Sequence, residues 1–348
     1  MAAQRNRKTL AELFNTYFSG QAKNITLFLL MLAILVIFSM LRPDRFPTIR
    51  NVRSMIAQFP EFGLLAVAMM CAMIVGGIDL SVVAVANICG VLAALILTSG
   101  TASLLPGGML LLLVVFVVLL TAAVCGLFNG TLIAFAGVPP ILATLGTQGL
   151  LMGIAIIITK GRSISGLPPV IDFIGNGYFL GIPVPFYIFV VMVAVVAVIL
   201  RRTRHGFSMY MLGANPVVSR YSGVNNAMVI IRTYMLTGIL AGVSSLIMIS
   251  RTNSMRPGYG TDYLLQAILV AVLGGTNPNG GVASMLGLVM GILILQFTQS
   301  GLTIMSISPF TRKLIWGLAL LLIMVINFLI SKYQEQKRIR DMLKETNK

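Results

Sequence analysis

Polar side chains that could do chemistry occur inside or beside long apolar stretches of this sequence. Most of them are amides or hydroxyls, namely Asn87, Asn129, Thr144, Thr147, Gln148, Gln266, Gln296 and Gln299. Such groups offer both hydrogen-bond donors and acceptors, which suits a neutral polyhydroxylated solute. The alternative is an ordinary hydrogen bond between neighbouring helices, which is the commoner role for any one of them. Residue type alone leaves both roles open.

Asp79 follows the pair Gly76-Gly77, and we take it as the only acid near a predicted membrane crossing. Its simplest role is to cap the helix that begins near Ser81. A carrier coupled to protons or sodium would need buried acids along its path. The sequence has no G-x-x-x-x-G-K-[ST] loop for binding ATP. Transport driven by ATP would therefore need a second chain.

The segments around these residues are too apolar for a protein dissolved in water. Of the 348 residues, 57% are hydrophobic and 10% are charged, whereas a soluble domain carries roughly 25% charged residues. No charged side chain occurs between Asp79 and Lys160 or between Asp262 and Arg312. Since one bilayer crossing takes about 20 apolar residues, each stretch has room for more than one. Residues 109–120 lack the alternation of barrel strands, which predicts helices.

Charged residues, glycines and prolines divide the chain into ten predicted crossings. The predicted fold is an all-α, polytopic membrane protein with about ten transmembrane helices, some short or broken at glycine. The crossings lie near 24–41, 56–75, 80–98, 109–128, 139–159, a segment ending at 200, 228–250, 263–273, 282–300 and 314–330.

Two of the predicted helices stop at a Gly-Gly pair followed by a polar residue. The second ends at Gly76 and Gly77, and the short eighth ends at Gly274 and Gly275. Glycine-interrupted helices in the two halves of a transporter often flank its solute site. The plainer explanation is that glycine simply ends a helix.

The net charge of +16 is spread over the chain ends and short loops, which argues against a nucleic-acid partner. Positive residues beside crossings mark the cytoplasmic side. We therefore expect a cytoplasmic segment at 1–23, a membrane domain at 24–331 with a cytoplasmic loop at 201–226, and a basic cytoplasmic tail at 332–348. A cluster between the first two crossings opposes this orientation: Arg42, Arg45, Arg50 and Arg53.

Four stretches of the sequence resemble the permease subunits of sugar-type ABC importers, the family of ribose and autoinducer-2 permeases. They are Gly76 to Ser81 (GGIDLS), Val138 to Thr147 (VPPILATLGT), Gly213 to Val224 (GANPVVSRYSGV) and Leu273 to Gly281 (LGGTNPNGG). Their order and spacing are similar to the family's over residues 25 to 331.

This resemblance implies a partner set and a transport cycle. Two permease chains pair in the inner membrane of the cell, ABC ATPase subunits bind and split ATP beneath them, and a periplasmic binding protein delivers the sugar. This chain would carry no cofactor, metal or catalytic site of its own. The resemblance implies that the residues pressing on the ATPase are Gly213, Ala214, Asn215, Arg220 and Tyr221. Asp79 and the Gly-Gly pairs would shape the helix ends beside the pathway.

The sequence departs from the family pattern before the second Gly-Gly pair. Many members carry two acids there, where this chain has Leu264 and Gln266. The departure resembles one of the two autoinducer-2 permease subunits, so the second permease chain could be identical or different. The resemblance also leaves the sugar open among a pentose, a hexose and an autoinducer-2-like furanose.

Two other function classes compete with an ATP-driven permease subunit. An ion-coupled secondary carrier or channel for a small polar solute would depend on an intramembrane acid such as Asp79. An intramembrane enzyme would need a histidine cluster, paired acids or a nucleophile beside a base, and the sequence shows none of these patterns.

Overall fold

A computed structural model describes the backbone of residues 10–100, 104–325 and 329, with side chains from residue 24 onward in these ranges. This part of the chain is almost entirely helical. Its β-structure consists of two short antiparallel pairs, Ile164–Ser165 with Ser254–Met255 and Tyr178–Phe179 with Ile182–Pro183. The predicted tail at 332–348 lies outside the described residues.

The helices are numbered here in chain order. They are α1 (Leu10–Leu41), α2 (Ile49–Ile74), α3 (Val82–Thr98), α4 (Gly107–Ala134), α5 (Pro140–Thr159), α6 (Asp172–Asn176), α7 (Val184–Arg202), α8 (Arg204–Ala214), α9 (Pro216–Tyr221), α10 (Asn226–Thr252), α11 (Asp262–Leu273), α12 (Met285–Ile304) and α13, which covers residues 309–325.

Each of the ten predicted crossings contains one of these helices, and the prediction of an all-α, polytopic membrane protein is confirmed. Seven helices among the described residues are long and apolar enough to cross a membrane. The apolar helices α3 and α11 are shorter. The predicted start of the second crossing at 56 is late, because α2 begins at Ile49 behind a cap in which Thr48 accepts from the Asn51 amide. The hydropathy pattern did not indicate this first turn, because the residues at 50, 51, 53 and 54 are polar.

The burial of the helices separates a central group from a peripheral one. Of the most apolar 18-residue window of α2, 83% is buried within the protein, whereas only 6% of the corresponding window of α1 is buried. Helices α4, α5 and α7 also expose large apolar side chains, among them Phe116, Ile157 and Val191. Because lipid solvates such side chains as well as a protein core does, the exposed faces mark the perimeter that contacts the bilayer. Helices α2, α3 and α10 form the interior.

Helices α4 and α10 make the most extensive contact between two described elements. Small residues allow the two backbones to approach closely. A Cβ atom at Gly126 of α4 would meet the backbone of Tyr234 and Met235 in α10, and one at Gly238 would meet the carbonyl of Ala122. Close backbone contact of this kind is the usual basis for helix association in lipid, where hydrophobic burial contributes little.

Replacing Gly126 by alanine is therefore expected to destabilise the fold. The added methyl group would push α4 away from α10, at a cost of about 1–3 kcal/mol for overpacking. Thermal unfolding in detergent, monitored by size-exclusion chromatography, measures the effect as a lower Tm. The matched control is Gly149→Ala in α5, where a Cβ meets nothing within 4 Å. Equal Tm values for the two variants would contradict the proposed contact.

Candidate functional site

The end of α2 and the turn between α11 and α12 meet through their backbones. α2 ends at Ile74, and the chain then turns through Gly76, whose φ of 81° is left-handed. The Ile74 carbonyl oxygen accepts a hydrogen bond of 3.0 Å from the amide of Gly281. This bond ties the end of α2, just before the first Gly-Gly pair, to the region after the second pair.

The loop between α7 and α10 reaches the same point. Gly213, near the end of α8, packs so closely that a Cβ atom there would overlap the Ile74 carbonyl oxygen and the Gly281 amide nitrogen. Gly280 and Gly281 in turn abut the backbone of Gly213 and Ala214. We call this meeting of residues 74–77, 213–214 and 280–281 the glycine junction.

Asp79 lies beside the glycine junction and is buried. Its Oδ1 accepts hydrogen bonds from the Ser81 amide at 3.0 Å and the Ser81 hydroxyl at 2.6 Å. Its Oδ2 accepts one from the Thr237 hydroxyl of α10 at 2.9 Å. Asn129 of α4 donates to the Ser81 hydroxyl at 2.8 Å. Asp79 therefore holds the start of α3 and also joins it to α10, with Asn129 one bond further out.

Thr144 joins α5 to the same region. Its hydroxyl oxygen accepts from the Leu80 amide at 3.1 Å and lies 3.1 Å from the Ile78 carbonyl. With this contact, parts of all four sequence stretches named above lie in one place. Thr147 bonds only the Ala143 carbonyl of its own helix, while Gln148 is half-buried on α5. Neither Thr147 nor Gln148 takes part in the contacts that form the glycine junction.

Asn87 lies on α3 and bonds a different part of the fold. Its amide nitrogen donates to the Val83 carbonyl at 2.9 Å and to the Tyr259 carbonyl at 2.8 Å. Asn87 therefore secures the segment that leads into α11, on which Gln266 lies. Apart from Thr147 and Gln148, the predicted polar residues fall into two regions, one at the glycine junction and one around α11.

The second region is a polar cleft between α2, α10, α11 and α12. At its floor, Glu61 Oε1 lies 2.6 Å from Arg251 Nη1, and Glu61 Oε2 accepts from the Tyr263 hydroxyl at 2.8 Å. Three glutamines line the cleft beside this ion pair: Gln266, Gln296 and Gln299. We call it the glutamine cleft.

Taking Asp79 as the only acid near a crossing was wrong. Glu61 lies within the predicted second crossing, and only 1% of its side chain is exposed. A charge in the middle of an apolar segment is a strong functional signal on its own, and it was available in the sequence. Its partner Arg251 was not predictable, because 190 positions of chain separate the two residues.

Comparison with known proteins identifies the kind of protein to which these regions belong. Residues 51–326 match the family described as the permease component of branched-chain amino acid transport systems. The chain belongs to this permease family. Its relatives include proteins named for a different solute from the one in the family description.

Two curated relatives of the permease illustrate this range. The ribose import permease protein RbsC of Haemophilus influenzae is 33% identical over 310 residues, which cover 88% of the permease and 93% of the relative. The autoinducer 2 import system permease protein LsrD of Photorhabdus laumondii is 28% identical over 322 residues, covering 89% and 93%. No solved structure matches the permease at a significant level.

Helix α9 of the permease is short but well fixed. Asn215 caps it by accepting from the amides of Val217 at 2.9 Å and Val218 at 3.1 Å. The side chain of Asn226 donates to the Pro216 carbonyl and accepts from Ser219. The start and the middle of α9 are therefore anchored, and Arg220 and Tyr221 are exposed, with Tyr221 90% exposed.

The link between Asp79 and α10 can be tested by replacing Thr237 with valine. This change leaves one buried carboxylate oxygen without its hydroxyl donor, and an unsatisfied buried group costs about 1–3 kcal/mol. We expect a lower Tm for the purified permease in detergent. Thr233→Val is the control, because Thr233 is equally buried on α10 but bonds only the Val229 carbonyl of its own helix. A Tm loss of the same size in both variants would contradict the link.

Proposed function

We propose that the permease is the membrane subunit of a binding-protein-dependent ABC importer, which moves a small neutral sugar inward and is powered by a separate ATPase. One observation carries this proposal. The loop that holds α8 and α9 packs directly into the glycine junction, where the end of α2 meets the turn that follows the second Gly-Gly pair. A force applied to this loop from outside would reach both helix breaks at once.

The outer surface of α9 fits a docking site for the ATPase. Val217, Val218 and Tyr221 are all exposed, although the sequence places them in the predicted cytoplasmic loop at 201–226. Exposed apolar side chains at such a surface mark a protein contact. Arg220 adds a charged group beside them. In this proposal Gly213, Ala214 and Asn215 transmit the contact and α9 receives it.

The two regions of the permease share their helices, which supports a common role in transport. Helix α2 carries Glu61 in its middle and Ile74 at its end, and α12 follows directly from the turn that holds Gly281. Movement of the glycine junction therefore shifts the walls of the glutamine cleft. Asp79, Asn129 and Thr144 keep the break after α2 in register with α4, α5 and α10 during this movement.

The proposed partners follow from the same role. They are a second permease chain, one or two ABC ATPase subunits, a periplasmic solute-binding protein and the lipid of the inner membrane, with both termini of the permease in the cytoplasm. The names of the relatives, a ribose permease and an autoinducer-2 permease, support a sugar or a related furanose as the solute.

The alternative of an ion-coupled carrier now has Glu61 as its best candidate acid. Its pairing with Arg251 at 2.6 Å argues against it, because an acid neutralised by a fixed cation is a poor carrier of protons or sodium. Solute uptake by the permease alone in proteoliposomes, without any ATPase, would favour this alternative.

Reversing the charge of Arg220 is expected to uncouple the permease from its ATPase. The test uses the importer assembled in proteoliposomes, with the ATPase and the binding protein, and measures D-ribose uptake and copurification of the ATPase. Arg220→Glu should lose both, because the acid lies on the docking surface. The control, Arg162→Glu, makes the same change at an exposed site in the loop between α5 and α7. Full uptake by Arg220→Glu would overturn the docking assignment.

A further inference from the structure

We propose that the glutamine cleft is the solute-binding site of the permease and that it takes a neutral polyhydroxylated molecule. This inference deepens the proposed function and rests on it. It places recognition of the solute at the floor formed by Glu61 and Arg251, and not among the residues around Asp79.

The cleft runs from the surface into the interior. Its outer part is lined by Asp262, Lys313 and Arg312 and shares Gln266 and Gln299 with the inner part. At the mouth, Asp262 and Lys313 form an ion pair of 2.9 Å with side chains 46% and 51% exposed, whereas Glu61 at the floor is buried. Polar groups therefore line the cleft continuously from its mouth to its floor.

The mouth opens on the side of the permease that the binding protein would face. Helix α10 begins beside α9, and its 27 residues span about 40 Å at 1.5 Å per residue. Arg251 lies in the last turn of this helix. The cleft is thus reached from the face opposite to the coupling loop, which is the outer face if α9 contacts a cytoplasmic ATPase.

Two amides in the cleft have hydrogen-bonding atoms without a protein partner. These atoms are the side-chain nitrogen of Gln296, which is 2% exposed, and the side-chain oxygen of Gln299. Buried polar atoms are nearly always hydrogen-bonded, so an unpaired donor and an unpaired acceptor call for an explanation. A hydroxyl group can accept from the first and donate to the second. Both glutamines line the inner part of the cleft.

The charges in the cleft favour a neutral ligand. Glu61 is already bonded to Arg251 and Tyr263, so a charged ligand that displaced either member of the ion pair would leave the other without its counter-charge. Separating such a pair leaves a buried charge without compensation, which is strongly unfavourable. The rings of Tyr259 and Tyr263 add apolar faces beside the amides. Polar edges next to aromatic faces suit a sugar ring.

The cleft is narrow in this conformation. Its inner and outer parts each hold roughly 100 Å³, which is room for a few water molecules at about 30 Å³ each. A whole sugar therefore requires α2 and α12 to move apart. Both helices begin or end at the segments tied to the glycine junction, so the same movement that the ATPase drives would open the site.

A cysteine in place of Gln299 tests the site without the ATPase. In oriented membrane vesicles that contain the permease, we expect a membrane-impermeant thiol reagent added outside to label Gln299→Cys, and D-ribose, D-glucose or ribitol to slow the labelling. The control is Leu180→Cys, in the exposed loop before α7, which should be labelled at a rate that no sugar changes. The three native cysteines are buried.

Three outcomes would overturn the inference. They are absence of labelling at Gln299→Cys, labelling that none of the neutral polyols slows, and protection by L-leucine in place of the polyols, which would show a zwitterion site. Because no ATPase is present, these results are independent of the coupling proposal. Protection by a polyol in a permease that fails to couple to any ATPase would support the site and reject the proposed function.

Replacing Gln296 with leucine tests the same site in the assembled importer. The change removes an amide that has no protein partner, so we expect the fold to be kept. The KM for uptake of the protecting polyol should rise at least about tenfold, since one lost hydrogen bond corresponds to about 1.4 kcal/mol. The control is Thr298→Val on the same helix, where the hydroxyl bonds the Ile294 carbonyl; the same KM in both variants would reject the role of Gln296.

Discussion

Three segments of the permease meet backbone to backbone at the glycine junction, and no side chain fits between them. A Cβ atom at Gly213 would overlap the Ile74 carbonyl oxygen, and one at Gly280 would overlap the backbone of Gly213. Closely packed interiors transmit a displacement because they have no voids to absorb it. The loop that carries α9 therefore cannot shift without moving the end of α2 and the turn before α12.

The long central helices connect this mechanical contact to the polar interior. α2 ends at the junction and carries Glu61, while α10 starts beside α9 and carries Thr237 and Arg251. Asp79 joins the start of α3 to α10, so its carboxylate stabilises the packing of the chain at the break after α2. Both carboxylate oxygens of Asp79 are bonded within the protein, whereas in the glutamine cleft the side-chain nitrogen of Gln296 and the side-chain oxygen of Gln299 have no protein partner. A structural role thus fits Asp79, and a binding role fits the residues around Glu61.

Hydropathy predicted the helices well, because lipid requires every crossing to be apolar and to satisfy its own backbone. The ends of α2 and α11 were also readable, since Gly-Gly pairs follow both. The side-chain partners were not. Asn87 bonds a carbonyl 172 positions away, and Thr237 bonds Asp79 across 158 positions. Such pairs depend on how the helices pack, which local sequence does not encode. The position of Glu61 within an apolar segment marked that acid on its own, but it did not indicate the partner Arg251.

The separation of Glu61 from Arg251 along the chain has a consequence for biosynthesis. During translation α2 enters the membrane long before α10 has been made, so Glu61 must wait in lipid or in the insertion channel without its cation. A charged residue at the centre of an inserting helix costs about 2.5–3.5 kcal/mol. The ion pair can form only when α10, the seventh predicted crossing, has been made, so the charge of Glu61 is compensated late in the synthesis of the permease.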